Sequence, residues 1–154
     1  MSGFLLVACS GDGAQNAQID QMAKQVGVKL QADKPEIIAQ GKAVYLRDCA
    51  ACHGANLEGQ QDWKIRSPQG LLPAPPHDAS GHTWHHPDQM LFDMTKYGVQ
   101  KFAGADYESD MPAYADTLTD TEIIAVLSYI KSRWPDNIKK RHDGLNRQYQ
   151  RSKD

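Results

Sequence analysis

Cys49-Ala50-Ala51-Cys52-His53 constrains this chain more than any other feature of its 154 residues. Two thiols three positions apart share one face of a helical turn. From that face both reach the two vinyl groups on one edge of a porphyrin and close thioether bonds. The histidine that follows directly can set an imidazole nitrogen on the iron. Cys-x-x-Cys-His is a c-type haem attachment pattern, and one covalent haem c is the cofactor it implies. Three other uses of these residues are weaker. A thioredoxin-like dithiol belongs near a βαβ unit, and no period-2 strand pattern occurs along the chain. A Cys49–Cys52 disulfide would explain neither His53 nor the long loop that follows. A zinc site of Cys49, Cys52, His82 and His86 would leave 29 residues between its two pairs, against about 12–15 in the common motif.

Composition agrees with a core completed by something other than side chains. Mean hydropathy is −0.61 and 40% of residues are hydrophobic, whereas a haem brings a large apolar surface of its own. The 17 basic and 19 acidic residues leave a net charge of −2, without the basic excess of a nucleic-acid binder. No apolar run approaches the roughly 20 residues that span a bilayer. Charge is unevenly spread: from Lys131 to Asp154 eight basic residues face three acids, leaving +5, so the first 130 residues carry −7.

A series of helices and loops organises the chain. Residues 10–34 are rich in Gln, Ala, Asp, Gly and Asn and read as a flexible tether, with a short helix around Ile19 to Leu30 as an option because Ile19, Met22, Val26 and Leu30 recur at helical spacing. A helix is expected from about Pro35 to Cys52, with proline in its first turn and Ile37, Ile38, Gly41, Val44, Tyr45 and Cys49 at three- and four-residue steps. Gly41 inside that pattern costs stability unless another backbone comes close. Residues 55–85 hold four prolines and form a long loop, which in a compact domain is usually functional. A second helix runs from near Pro87 to Gly98, residues 99–117 are loop, and a last clear helix opens on the capping box Thr119-Asp120-Thr121-Glu122 and ends at Pro135. Residues 136–154 form a basic tail, helical or disordered.

With these elements in place, residues 35–135 resemble the class I, monohaem c-type cytochromes. The resemblance rests on the helix leading into Cys49–His53, the Pro-rich loop, Met111-Pro112 and the C-terminal helix. It implies an all-α fold wrapped around one haem. It also implies that Gly41 and Tyr45 lie where the N- and C-terminal helices cross, with Leu127 and Tyr129 or Ile130 as partners. The family's axial methionine occupies the place of Met111, on a loop 58 residues after His53. Met90 and Met94 share a helix face with Leu91 and Tyr97 and read as core. In the family a backbone carbonyl of the proline region accepts the other ring N–H of the proximal histidine; Pro75 or Pro76 is the candidate here. His/Met ligation raises the haem potential, as suits an electron carrier.

Gly81-His82-Thr83-Trp84-His85-His86-Pro87-Asp88 resembles a segment of a subset of these cytochromes. Trp84 is expected to donate its indole N–H to a haem propionate, and His82, His85 or His86 to do likewise or to cap the next helix. With His77 these histidines also admit a surface copper or zinc site. At the N-terminus, Leu6-Val7-Ala8-Cys9 resembles a bacterial lipobox, with residues 1–8 as the remnant of a signal peptide and Cys9 as the lipidated residue at the head of a 9–34 tether.

The expected function is one-electron transfer with His53 and Met111 both on the iron. The carrier would be lipid-anchored outside the cytoplasm, in a bacterial periplasm or on the outer face of a membrane. It would be monomeric or loosely associated, with redox proteins as donor and acceptor. Two rivals are a haem-based ligand sensor or peroxidase-like protein, and a detached subunit of a larger oxidoreductase.

Overall fold

The computed structural model describes residues 27–104 and 106–153. The expected Cys9 anchor and the greater part of the Ile19–Leu30 option lie outside the described residues. Every regular element among the described residues is helical. In chain order they are α1 (Pro35–Val44), a π-helical segment (Tyr45–Cys49), α2 (Ala50–His53), a 3-10 turn (Thr83–His85), α3 (Asp88–Tyr97), α4 (Gln100–Ala103), α5 (Asp120–Ser132) and α6 (Asp136–Arg151). The first three run on without a break, so the expected helix from Pro35 to Cys52 is continuous but underwound into wider π turns in its middle. Such wide turns are common at functional sites, and this one ends on the first motif cysteine.

The core is the crossing of α1 with α5. Every residue from Ile123 to Lys131 of α5 is buried. Thr119 starts that helix by the capping box expected of it: its hydroxyl accepts from the N–H of Glu122 (3.2 Å), and its own N–H donates to the Glu122 carboxylate (3.0 Å). Gly41 packs on the backbone of Ala125 and on Tyr129, whose Cβ would lie 2.9 Å from any Cβ at position 41. Tyr45 is fully buried and its ring meets that of Tyr129 at 5.5 Å. Tyr129 is thus the partner expected from the sequence. Ala125, rather than Leu127 or Ile130, takes the place beside Gly41.

One stretch departs from its sequence reading and another takes one of its two options. Residues 28–34, read as the end of the tether, lie against the domain: Val28 and Leu30 are buried. The Val28 N–H donates to the Gln89 side chain (3.0 Å), that of Leu30 to Asp88 (2.9 Å) and that of Gln31 to Ser128 (2.9 Å). Residues 27–30 are not helical. Beyond Pro135 the chain takes the helical option as α6, docked through Ile138 and the fully buried His142. The Nε2–H of His142 donates to the His86 carbonyl (2.9 Å), and Asn146 donates to Asp88 (3.0 Å). Lys131, buried on α5, reaches Asp143 of α6 (2.6 Å) and approaches Asp88 (4.0 Å). Polar pairs therefore join this helix to the domain, which is why hydropathy alone did not place it.

Candidate haem site

Cys49, His53, His77, Thr95, Met111, Tyr114, Val126, Leu127 and Ile130 line one cavity. Its back wall comes from α5, where Val126, Leu127 and Ile130 are buried aliphatics. Its chemistry comes from two segments distant in sequence, the Cys-x-x-Cys-His turn and the loop before α5.

Cys49 and Cys52 both carry free thiols, Cys49 half-buried and Cys52 exposed. Burial, with the Asp48 carboxylate adding to it, pushes the Cys49 thiol up to about 12. A redox or metal-binding cysteine needs the opposite, a thiol pulled down toward neutral pH. Among the described residues, no three His, Cys, Asp or Glu side chains are grouped to hold a metal ion.

His53 is buried, and its Nδ1 lies 2.9 Å from the carbonyl oxygen of Pro75. A carbonyl only accepts, so Nδ1 carries the proton and Nε2 keeps its lone pair. Of the two prolines left open by the sequence, Pro75 makes the contact. Its position follows from backbone bonds between two loop segments, Gln60 N–H to the Ala74 carbonyl (2.8 Å) and His77 N–H to that of Leu57 (2.8 Å), the first segment being tied to the motif by Gly59 N–H to the His53 carbonyl (2.8 Å). Gly59, at φ 69°, presses on the Pro75–Pro76 peptide so closely that no side chain would fit. Tyr45 closes the motif turn by donating its hydroxyl to the Gly54 carbonyl (2.9 Å).

Met111 sits on a loop tied down at several points. Its N–H donates to the Ser109 hydroxyl (3.1 Å), the Gln100 side-chain amide donates to the Ser109 carbonyl (3.0 Å), and the N–H of Tyr114 donates to the Thr95 carbonyl (3.1 Å). The Tyr114 hydroxyl crosses to the Asp48 carbonyl (3.0 Å), joining this loop to the turn that carries Cys49. Met90 and Met94 are absent from the cavity lining, and Met94 packs against the core as expected.

Trp84 packs against the core. It is not among the cavity residues; its indole N–H is directed to the Ala79 carbonyl (3.3 Å), and the Arg141 guanidinium lies over its ring at 4.9 Å. His82 stacks on Trp63 (5.4 Å) and meets His86 edge-on (5.8 Å). His85 lies against Trp84 (3.8 Å).

His77 is the residue whose place the sequence did not give. Its ring stacks on that of His53 at 4.0 Å and 28°, and its Nδ1 pairs with the Thr83 hydroxyl at 2.8 Å. Burial, with His53 and His82 nearby, holds its pKa well below the usual histidine value, so the ring is neutral. The only sequence signal was its place two residues after Pro75.

The residues present fit a haem. The cavity offers apolar walls, an imidazole with one free nitrogen, a thioether, and two thiols on one helical turn beside it.

Comparison with known proteins points the same way. The cytochrome c family profile matches residues 38–134. Among solved structures, the chain is similar to cytochrome cL of the marine methylotrophic bacterium Methylophaga aminisulfidivorans, with a TM-score of 0.56 at 20% identity over 91% of this chain and 83% of that one. That likeness is one of fold. No curated protein matches the sequence.

Proposed function

The chain belongs to the cytochrome c family, with its all-α fold and covalent haem c, and from that premise we propose that it is a monohaem electron carrier with His53 and Met111 as its two axial ligands. The observation that carries this reading is that His53 and Met111 line the same cavity while the other ring nitrogen of His53 is engaged by Pro75 (2.9 Å).

Haem bound here supplies a one-electron ferric/ferrous couple. Cys49 and Cys52 would hold it covalently, each thiol adding its S–H across a vinyl group to give a thioether. The Pro75 carbonyl keeps the proton on Nδ1 of His53 and leaves Nε2 as the donor atom, which also raises ligand basicity. Met111 offers its sulfur from a loop whose hydrogen bonds resist withdrawal. Val126, Leu127 and Ile130 exclude water from the cavity wall, so little solvent must reorganise when the charge on the iron changes. Cys52, exposed where Cys49 is not, marks the edge of the group that a redox partner could approach.

The finer reading adds lipidation at Cys9 and an extracytoplasmic, membrane-tethered carrier with redox proteins as donor and acceptor. It is supported by the Leu6-Val7-Ala8-Cys9 sequence and by the extracytoplasmic setting usual for bacterial cytochrome c domains. No helix among the described residues is long and apolar enough to cross a membrane.

Carbon monoxide tests the ligation against the sensor and peroxidase alternatives. The ferrous protein should bind it slowly or not at all and titrate reversibly as a one-electron couple. Rapid binding would mean an open iron position and would favour a ligand-binding role.

A further inference from the structure

We propose that His77 is a positioning residue for the iron ligand, fixing the plane of the His53 ring; this rests on the His53 ligation proposed above.

The hydrogen bond to Pro75 holds one atom of His53 and leaves the ring free to turn about the line through Nδ1. A flat face packed against it removes that freedom. His77 supplies such a face, 4.0 Å away and within 28° of parallel. His77 is itself held through its main chain and its ring. Its N–H donates to the Leu57 carbonyl (2.8 Å), its carbonyl accepts from the Trp134 indole (2.8 Å), and its Nδ1 pairs with the buried Thr83 hydroxyl (2.8 Å). The edge of Tyr45 closes another side at 6.4 Å.

Pro75 and His77 belong to one segment, Pro75-Pro76-His77, whose prolines fix φ. One stiff tripeptide therefore places both the acceptor for His53 and the surface its ring rests on. A leucine in place of His77 would fill similar space, but it has neither a planar face nor an atom for Thr83. The imidazole plane decides which iron d orbital the ligand overlaps. The consequence is electronic: it appears in the largest g-value, in the spread of the haem methyl resonances of the ferric protein, and in the potential.

Three holoprotein variants test this. His77→Phe keeps a flat face and loses the bond to Thr83. His77→Leu loses both. Thr83→Val keeps the imidazole and loosens it, and so serves if the Leu variant fails to assemble. His77→Leu should change the order or spread of the haem methyl shifts, move the largest g-value and shift the potential. Thr83→Val should move them in the same direction by less, and His77→Phe should keep the wild-type methyl pattern. Wild-type values in both His77→Leu and Thr83→Val, or equal changes in the Phe and Leu variants, would overturn the assignment. A wild-type protein that is not low-spin with His53 bound would instead bring down the ligation reading.

Discussion

The Cα of Gly41 lies against the backbone carbonyl of Ala125, with no room between them for a side chain. This contact sets how closely α1 and α5 approach, and therefore how the Cys49–His53 turn at the end of one helical run faces Val126, Leu127 and Ile130 on the other.

Gly41→Val should destabilise the protein, since added carbon must displace main chain rather than a flexible side chain. Overpacking of this kind costs about 1–3 kcal/mol. Gly41→Ala should already lower the melting temperature, because even one Cβ meets Ala125. Thermal melts of the two holoproteins check this, and an unchanged midpoint for both would place the helices further apart than described.

Met111→Ala should abolish the weak near-infrared sulfur-to-iron band of the oxidised protein, lower the potential and open the iron to added ligands. Met94→Leu should leave that band intact, because Met94 packs in the core outside the cavity. The reverse outcome would transfer the ligand role to Met94.

His142 makes the docking of α6 sensitive to acid. Asp88, Lys131 and Asp143 surround it, yet burial outweighs the two carboxylates and pulls its pKa down. The unfolded chain, with a value near 6.5, binds the proton first as pH falls. Its contribution is therefore complete above about pH 6.5 and is lost as pH drops from there toward the lowered folded value. His142→Gln should be less stable at pH 7 and show a shallower loss of melting temperature between pH 7 and 5. The same slope in both proteins would remove His142 from the acid response.

Much of this arrangement can be read in the sequence because its signals are local. The capping box at Thr119 and Glu122, the proline before α3 and the Gly98 after it, and the spacing within Cys49–His53 each act within one helical turn or two. The rest depends on partners distant in the chain. The helical spacing that includes Leu30 does not reveal the course of residues 28–31, which are ordered by Asp88, Gln89 and Ser128. The polar helix α6 is placed by His86, Asp88 and Lys131. His77 reaches His53 because residues 57–60 pair with 74–77, and Trp84 lies under Arg141 of that same α6.

Cys9→Ser should release a soluble haem protein, or leave an uncleaved precursor, where the wild type fractionates with membranes. Two or more acyl chains hold a protein stably at a bilayer, while one does so only marginally. Expression with the natural upstream sequence, followed by fractionation and N-terminal mass analysis, decides it. A fully soluble wild type with an unmodified Cys9 would make this a free extracytoplasmic carrier.

Acid-acetone extraction of the purified protein tests the central claim most directly, because it separates haem held by thioethers from haem held only by iron ligands and packing. The colour should stay with the polypeptide, the intact mass should exceed that of the apoprotein by one haem, and peptide mapping should place it on Cys49 and Cys52. Haem passing into the acetone, or a colourless product from a host competent in cytochrome c maturation, would contradict the account.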